Sequence, residues 1–416
     1  QDNSSPCLPA IHACPHEGGT KIWIHVPTIS ERINFGGKVD DYLREKGEAI
    51  CLGRKWRPLL NDSITKASNF NINEINDAVS LEFEINSSGE VGKWKFSLSK
   101  IKPASEITED HLQALQKKKP GSRTVPLVLK PIKEHLDTLY TIINSVKIIN
   151  NFDKNSGSIK LDIDIYNLTS LEELCKSYPG RDFHGWSDEL NVEEPQSILN
   201  IIIREANKIL HRHLNSYKLP SIIKEFDTVD EHLTNEIIKS VVSLDTEIKL
   251  DHDGDLNINS LLKSFESSPN KRVLHKLIKH TVPGVNLKLQ NEYSKSNEEN
   301  QADSNHVVSK VNNTETPWCC PTLNYWDIYN QNLLTTLLSE GKNKPTSRGK
   351  VSIDLGESNT WEKVTWEIFS TKNVEFINSS ANNALVEDLN EKRRKARSFR
   401  QNLISMVQAR EAEKIL

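Results

Sequence analysis

The most suggestive cluster of chemical groups lies near the start of the chain, in the segment CLPAIHACPH. Cys7, His12, Cys14 and His16 fall within ten residues of one another, and thiolate sulfur and imidazole nitrogen are the ligands that Zn²⁺ takes in proteins. A zinc finger or ribbon needs a second ligand pair at a characteristic spacing, and the sequence contains no such pair. We therefore interpret the segment as an ordinary packed loop, with a zinc site as the alternative.

Two other segments carry suitable residue types in unsuitable positions. The segment DHDGDLNIN (251–259) is rich in carboxylates, but a calcium-binding EF-hand loop needs glycine sixth and glutamate twelfth. Counted from Asp251, those positions hold Leu256 and Leu262. The segment GKNKPTS (341–347) lacks the first glycine and the Gly-Lys-[ST] order of a phosphate-binding loop. We predict a turn at each.

The densest basic stretch is EKRRKARSFR (391–400). On a helix, Arg393, Lys395, Arg397 and Arg400 spread around most of the circumference instead of forming one stripe. A solvated helix face is one interpretation of this pattern. The other is contact with RNA phosphates, which lysine and arginine neutralise without reading the bases.

The composition is typical of a globular protein. Of the 416 residues, 36% are hydrophobic and 26% are charged, which argues against wholesale disorder. The net charge of −4 provides no global positive field, so any contact with nucleic acid would depend on a local patch. No apolar run approaches the roughly 20 residues of a membrane-spanning helix, so we expect no membrane contact.

Cysteine usage and the chain start bear on the compartment. The six cysteines lack the spacing of a disulfide framework, which favours a reducing, intracellular compartment. The chain opens on Gln1 and has one methionine, Met406. We interpret it as a trimmed product, and this favours an organelle, mitochondrion or plastid, over the cytoplasm or nucleus.

The elements that would position any site follow from hydrophobic periodicity. Alternating runs predict a strand over 20–30 and a hairpin of strands over 78–85 and 91–98. A polar stretch without periodicity over 291–316 predicts a flexible insertion. Strands are also predicted over 49–52 and 158–168, and helices over 37–47, 105–119, 131–151, 196–214, 257–282, 324–340 and 385–416.

Taken in order, several blocks resemble the RNB catalytic domain of the ribonuclease II family. They are IHVPTIS (24–30, similar to H-I-A-D-V-S), KGEAICL (46–52, R-G-x-S-V-Y-L), RPLLND (57–62, P-M-L-P), the hairpin and helix over 78–115, SGSIKLDI (156–163, G-A-I), IIIREANKIL (201–210, E-x-M-x-x-A-N), KLPSIIK (218–224, L-P-x-x-Y-R) and PTLNYWDIYNQNLL (321–334, P-I-R-R-Y-x-D-L). The family's enzymes are processive 3′→5′ exoribonucleases that thread single-stranded RNA to a buried magnesium site.

This resemblance implies an α/β (mixed α+β) fold in which a mixed β-sheet is surrounded by helices. A single RNB-like domain would cover 1–416, with 291–316 as an insertion and 385–416 as a charged C-terminal helix.

Among the residues that the resemblance loses are most of the family's metal-binding carboxylates. In the family, an aspartate is followed six residues later by a D-I-D-D-A cluster, and these carboxylates hold Mg²⁺, a hard cation that takes oxygen ligands. Asp2 matches the first of these four aspartates, but the three aspartates of the cluster correspond to Leu8, Ala10 and Ile11. His12 offers a softer nitrogen ligand. The resemblance therefore implies that the metal site has lost its ligands.

A second loss falls on the phosphate contact. The arginine of P-I-R-R-Y that would clamp the scissile phosphate corresponds to Leu323, and leucine cannot form the bidentate bonds of a guanidinium. By contrast, the same blocks keep Ala206, Asn207, Pro321, Tyr325 and Asp327. We expect the fold to persist where the chemistry does not.

A competing alignment stays open. The segment EINDAVS (74–80) mimics D-I-D-D-A-x-S, with Glu74 and Asp77 as carboxylates and Asn76 in place of a third. Under this alignment Mg²⁺ would be a cofactor. Otherwise no cofactor is expected.

Two functions follow from these alternatives. The first is a catalytically inactive, RNB-like protein that serves as an RNA-binding or scaffolding subunit of a ribonucleoprotein or RNA-processing assembly. Its partners would be RNA, protein subunits or both, with no small-molecule substrate. The second is a divergent Mg²⁺-dependent 3′→5′ exoribonuclease acting on single-stranded RNA. The expected RNA-contacting residues are Lys224, Tyr325, Trp326, Arg393, Arg394 and Arg397.

Overall fold

The computed structural model describes residues 6–52, 55–118, 124–155, 195–226, 231–244, 265, 268–271, 273, 274, 277, 285–290 and 314–415. The predicted strand over 158–168, the segment 251–259, and most of the predicted elements over 257–282 and 291–316 lie outside the described residues.

The described chain alternates short strands with longer helices. Its strands are β1 Ala10–His16, β2 Gly19–Pro27, β3 Ile50–Leu52, β4 Lys55–Arg57, β5 Asn76–Ile85, β6 Val91–Ile101, β7 Ile222–Phe226 and β8 Val285–Leu289. Its helices are α1 Lys38–Lys46, α2 Asp62–Ser68, α3 Glu109–Lys117, α4 Leu136–Asn155, α5 Pro195–Ser216, α6 Glu231–Ser243, α7 Tyr325–Glu340, α8 Thr371–Ser380 and α9 Asn383–Ile415. Short 3-10 helices span Ser30–Arg32, Leu127–His135 and Trp361–Lys363.

The largest sheet has the strand order β1-β2-β5-β6. On β2, Ile22, Ile24 and Val26 are buried, while Trp23 and His25 between them are partly exposed. This alternation is expected of a strand with one face on the core. Helix α4 packs against β1 and β2, and α5 packs against α4, so the predicted α/β arrangement of sheet and helices is confirmed.

The strand pairings refine the prediction. The hairpin expected over 78–85 and 91–98 is formed by β5 and β6, and it is longer by a few residues at its open end. A mixed sheet was expected, but every pairing among the described strands is antiparallel.

Local chemistry sets the helix ends. Gly47 closes α1 with φ +71°, a left-handed conformation that glycine adopts at low cost. Helix α3 begins at Glu109 and not at the predicted 105, because Thr108 caps it. The Thr108 hydroxyl accepts from the His111 backbone N–H, and the Thr108 backbone N–H donates to the His111 side chain. Before α4, Pro131 lies within the 3-10 helix, so the regular α-helix starts later than the predicted 131.

The interpretation of CLPAIHACPH as a loop was wrong. Ala10–His16 forms edge strand β1, which pairs with β2 from Ala10↔His25 to His16↔Gly19. Few of its residues are strongly apolar, so the sequence carries little hydrophobic signal. Pairing with β2 supplies the stabilisation that the strand's own composition lacks.

Helix α7 is buried on nearly all sides. Eleven of its sixteen residues are buried, Asn330 and Gln331 among them. The Gln331 amide oxygen accepts from the backbone N–H groups of Ile29 and Ser30, and its nitrogen donates to the Pro27 carbonyl. Helix α7 therefore ties the end of β2 to the rest of the core.

Among the described helices, none has the length and apolar character needed to cross a membrane.

Candidate functional site

Two segments far apart in the sequence meet where the resemblance places the site. The Thr322 hydroxyl donates a 2.8 Å hydrogen bond to the Cys7 carbonyl. Leu8 follows Cys7 directly, and Leu323 follows Thr322. The two predicted losses, of metal ligands and of the phosphate-clamping arginine, therefore fall at the same place in the fold.

The side chains at these positions are apolar and sit in different environments. Leu323 is buried, whereas Leu8, Ala10 and Ile11 are partly exposed. Ala10 and Ile11 are neighbours on β1 and so point to opposite sheet faces, and Ile11 packs against the core. Asp2 lies outside the described residues.

The loop that carries Leu323 is held firmly. The Asp327 carboxylate accepts from the Cys320 backbone N–H at 2.8 Å and from the Asn324 side-chain amide at 3.1 Å. The Leu323 carbonyl accepts from the Ala49 N–H at 2.7 Å. Asp327, which the resemblance retains, thus braces this loop.

Tyr325 has a comparable bracing role. Its hydroxyl donates to the Asp40 carboxylate at 2.7 Å, and both residues are buried. Burial raises the pKa of Tyr325 far above its usual value, and the negative charge of Asp40 raises that pKa further. The phenol therefore stays protonated and serves as a permanent donor.

The retained pair Ala206 and Asn207 holds the segment that leads into this loop. The Trp318 indole N–H donates to the Ala206 carbonyl at 3.2 Å, and the Trp318 backbone N–H donates to the Asn207 side chain at 3.3 Å. The Asn207 amide also donates to Glu315 at 3.2 Å. The retained residues therefore connect helix α5 to the loop of Leu323.

Sequence reasoning missed one further apolar position. Counting back six residues from Asn207 places the glutamate of E-x-M-x-x-A-N at Ile201, which is buried. The motif spacing alone predicts this third departure from the family pattern.

The structure corrects the expected positions of three predicted RNA-contacting side chains. Tyr325, Trp326 and Arg393 are only 2%, 1% and 2% exposed, so none of them faces solvent. The Arg393 guanidinium lies 5.2 Å from the Trp326 ring centroid and donates to the Val285 carbonyl. These groups pack α9 against α7 and β8, and in this conformation they cannot reach a nucleotide.

The other three predicted contacts lie nearer the surface. Arg394 is exposed, and Arg397 is partly exposed and donates to the Val285 carbonyl at 3.2 Å. Lys224 is partly exposed on β7, and its backbone pairs with Glu315. RNA contact by these three stays a prediction.

The competing carboxylate segment has other partners. Asp77 forms a 3.0 Å ion pair with Lys100 across the β5–β6 hairpin. The Asn76 amide donates to the carbonyls of Asn71 and Glu74, which shapes the preceding loop. Within the described part of the chain, no three His, Cys, Asp or Glu side chains lie close enough to hold a metal ion.

The zinc alternative fares no better on geometry. His12, Cys14 and His16 occupy every second position of β1. The His12 ring lies 5.4 Å from the Trp23 ring, and His16 lies within 3.4 Å of Glu84. The residue types suited zinc, but an extended strand spreads them apart.

Two buried histidines, His211 and His213, and the partly buried His25 also escaped sequence reasoning. Burial lowers the pKa values of His25, His211 and His213 to about 4. His25 bonds to the Ser80 hydroxyl at 2.6 Å, and His213 accepts from the Trp94 indole at 3.3 Å. They are neutral near pH 7 and serve as polar members of the core.

Comparison with known proteins identifies the family. A family model described as the RNB domain matches residues 1–340. The chain belongs to the RNB domain family. The resemblance deduced from its sequence blocks is thereby confirmed.

Individual relatives are distant. The acetazolamide conferring resistance protein zam of Synechocystis is 23% identical over 399 residues, which cover 94% of this chain and 47% of that protein. The chain thus spans about half the length of the curated relative it matches.

Solved structures share the fold. RNase R of Mycoplasma genitalium in complex with ribose-methylated single-stranded RNA gives a TM-score of 0.68 at 12% identity, covering 96% of this chain and 55% of that one. Yeast Ssd1, described as a pseudonuclease, gives 0.57 at 13% identity, covering 92% and 41%. An active-site mutant of the exoribonuclease Dss1 from Candida glabrata gives 0.58 at 10%, covering 100% and 47%.

The hydrogen bond between Tyr325 and Asp40 makes a testable contribution to the stability of the fold. Tyr325→Phe removes the only side-chain donor seen on the Asp40 carboxylate among the described residues. A hydrogen bond to a charged group is worth about 1.5–3 kcal/mol, so we expect a loss of that size in urea denaturation. Tyr42→Phe is the matched control, since Tyr42 is 46% exposed on the same helix as Asp40. Equal stability of the two variants would contradict the bracing role.

Proposed function

We propose that this protein is an RNB-domain pseudonuclease that binds single-stranded RNA as a subunit of a ribonucleoprotein or RNA-processing assembly. The observation that carries the proposal is the hydrogen bond between Thr322 and Cys7. It brings the apolar positions that follow each of these residues, Leu323 and Leu8, to one place. This contact between two independently aligned segments supports the proposal of a single altered site.

The side chains at this site do not suit the metal that the family implies. Mg²⁺ takes oxygen ligands in near-octahedral geometry and binds through carboxylates. The side chains of Leu8, Ala10 and Ile11 offer no oxygen, and the side chain of Leu323 offers no positive charge to a phosphate. We derive no hydrolytic step through a metal at this position.

Binding is supported by the parts of the fold that are kept. Ala206, Asn207, Tyr325 and Asp327 all hold the loop of Leu323 in place. Among proteins of this fold, RNase R was solved with RNA and Ssd1 is described as a pseudonuclease. A fold that keeps these packing residues without the catalytic ligands is consistent with a binding or scaffolding role.

Incubation with single-stranded RNA tests the proposal directly. With RNA labelled at the 3′ end or at the 5′ end and millimolar Mg²⁺, we expect no stepwise shortening from the 3′ end. We also expect Mg²⁺ to leave the Tm unchanged, because an ion stabilises a protein only in proportion to its binding to the native state.

The enzymatic alternative makes the opposite prediction with a matched pair of variants. Shortening that is abolished by Asp77→Asn and preserved by Asp62→Asn, an exposed carboxylate at the start of α2, would establish an exoribonuclease acting through the 74–77 segment. Recovery of RNA on purification from native cells would favour RNA binding, whereas protein subunits without RNA would favour scaffolding.

A further inference from the structure

A pair of tryptophans lies at the edge of the large sheet, where residues beyond the family match pack onto it. Trp94 is on β6, and Trp361 opens a 3-10 helix after α7. Their ring centroids are 6.3 Å apart and their planes differ by 21°, so the two indoles are stacked. Both side chains are partly exposed. Large aromatic rings with a solvent-facing surface are the groups on which nucleic acid bases stack.

The orientation of Trp94 is fixed by contacts with residues of helix α5. Its indole N–H donates to the His213 ring at 3.3 Å, and burial, which lowers the pKa of His213 to about 4, keeps that ring neutral and able to accept. The Arg212 guanidinium lies 5.1 Å from the Trp94 centroid, within the range of a cation–π contact. Trp94 is thus held by two neighbours on α5.

Trp361 is fixed by the segment before it, which adds to the edge of β6. The Phe96 N–H donates to the Gly356 carbonyl, and the Ser358 N–H donates to the Trp94 carbonyl, both at 2.9 Å. At Gly356 a Cβ atom would lie 2.1 Å from the Phe96 carbonyl oxygen. Only glycine allows this close approach of two backbones.

Two further contacts anchor the same segment. Lys95 forms ion pairs with Asp354 at 2.6 Å and Glu357 at 3.1 Å. The hydroxyls of Tyr217 and Thr360 are 2.8 Å apart, and Thr360 immediately precedes Trp361. The indole is therefore pre-positioned, and a ligand that stacks on it does not have to order a loose loop.

Positive charge lies beside the aromatic surface. The Arg212 side chain is 44% exposed and shares Glu205, at 3.5 Å, with Lys208. Two cations thus face one carboxylate. Lys363, two residues after Trp361, is exposed. Stacking rings next to cations form the combination that binds single-stranded nucleic acid without reading its sequence.

We propose that Trp361, stacked on Trp94 beside Arg212, is a base-stacking site for single-stranded RNA. This inference rests on the proposed RNA-binding function and places part of that binding outside the site of Leu8 and Leu323. Trp361 provides the stacking surface, and Arg212 contacts a neighbouring phosphate.

Fluorescence anisotropy with a fluorescein-labelled oligoadenylate tests the site. Loss of one stacked base corresponds to a change in affinity of roughly 5- to 150-fold, so Trp361→Leu is expected to raise the Kd by that factor. Trp366→Leu is the matched control, because Trp366 lies five residues later and donates its indole N–H to the Lys342 carbonyl. We expect its Kd to stay within about twofold of wild type. Arg212→Gln is expected to reduce the slope of log K against log salt by about 1.

The outcomes separate the site from the function. Wild-type binding with equal Kd values for Trp361→Leu and Trp366→Leu would overturn the stacking site and leave RNA binding in place. Absence of wild-type binding would overturn RNA binding and the stacking site with it. Photo-crosslinking of wild type to 4-thiouridine RNA decides the matter should Trp361→Leu fail to fold. Crosslinked peptides containing Trp361 or Arg212 are expected, and crosslinks confined to other peptides would overturn the proposal.

Discussion

Asn330→Ala is expected to lower the free energy of unfolding by about 3–9 kcal/mol, because it leaves three buried backbone groups without a partner, each at a cost of about 1–3 kcal/mol. Asn330 is 0% exposed. Its amide oxygen accepts from the Ile222 N–H at 2.9 Å, and its nitrogen donates to the carbonyls of Ile222 at 2.8 Å and Pro317 at 2.7 Å. One side chain thus joins α7 to β7 and to the segment that leads into the loop of Leu323.

Urea denaturation followed by circular dichroism measures this effect, and two variants divide its causes. Asn330→Asp preserves the volume but cannot donate, so we expect it to be at least as destabilised as the alanine variant. Asn332→Ala, at a partly exposed position on the same helix, should change stability by no more than about 1 kcal/mol. Similar denaturation midpoints for Asn330→Ala and Asn332→Ala would show that these bonds do not organise the core.

The second large effect expected is a loss of stability on mild acidification. Burial lowers the native pKa values of His25, His211 and His213 to about 4, against about 6.5 in an unfolded chain. An electrostatic effect of His12 adds to the burial effect on the pKa of His25, and one of Arg212 adds to it on the pKa of His211. At His213 the Leu355 carbonyl and the Asp354 charge oppose it.

The sign follows from proton uptake. Between pH 6.5 and 4 the unfolded chain binds protons that the native protein does not, so the native state is fully favoured above about pH 6.5 and loses stability as pH falls. From about pH 7 to about pH 5 each histidine contributes a loss of about 2 kcal/mol, or on the order of 5 kcal/mol together.

Urea denaturation at several pH values between about 5 and 8 tests this expectation. His213→Gln is expected to reduce the pH dependence by about a third, whatever its own effect on stability at neutral pH. The two proteins are compared by the slope of the free energy of unfolding against pH. A purely structural change in packing would leave that slope unchanged. A wild-type free energy of unfolding that stays constant from pH 7 to 5 would contradict the assignment of three histidines that are neutral in the native state.

Much of the fold could be predicted from local sequence pattern. The β5–β6 hairpin followed from alternation on both sides of a short polar turn, and α5 followed from its long apolar periodicity. Both signals are local, since side-chain periods of 2.0 and 3.6 reflect the backbone geometry of strands and helices. Strand β1 carried no such signal, because its stability comes from pairing with β2.

Local sequence pattern could not predict the orientation of individual side chains. Helix α7 is buried on almost every side, so its sequence shows no polar face from which the burial of Tyr325 and Trp326 could be inferred. Arg393 looked like a surface cation because arginine is rarely buried. Its packing against Trp326 and its bond to Val285 depend on where α9 crosses the core.

The sequence by itself determined the family and predicted an apolar site, because ordered motif blocks and residue types are written along the chain. The departures of Leu8, Ala10, Ile11 and Leu323 from the family pattern were predicted without coordinates, and they stay a prediction. Only the tertiary structure decided that the two segments carrying the predicted departures meet, since the Thr322–Cys7 hydrogen bond joins residues 315 positions apart. No local propensity reports a contact at that separation, because it forms only when α7, the core sheet and the loop before α7 pack together.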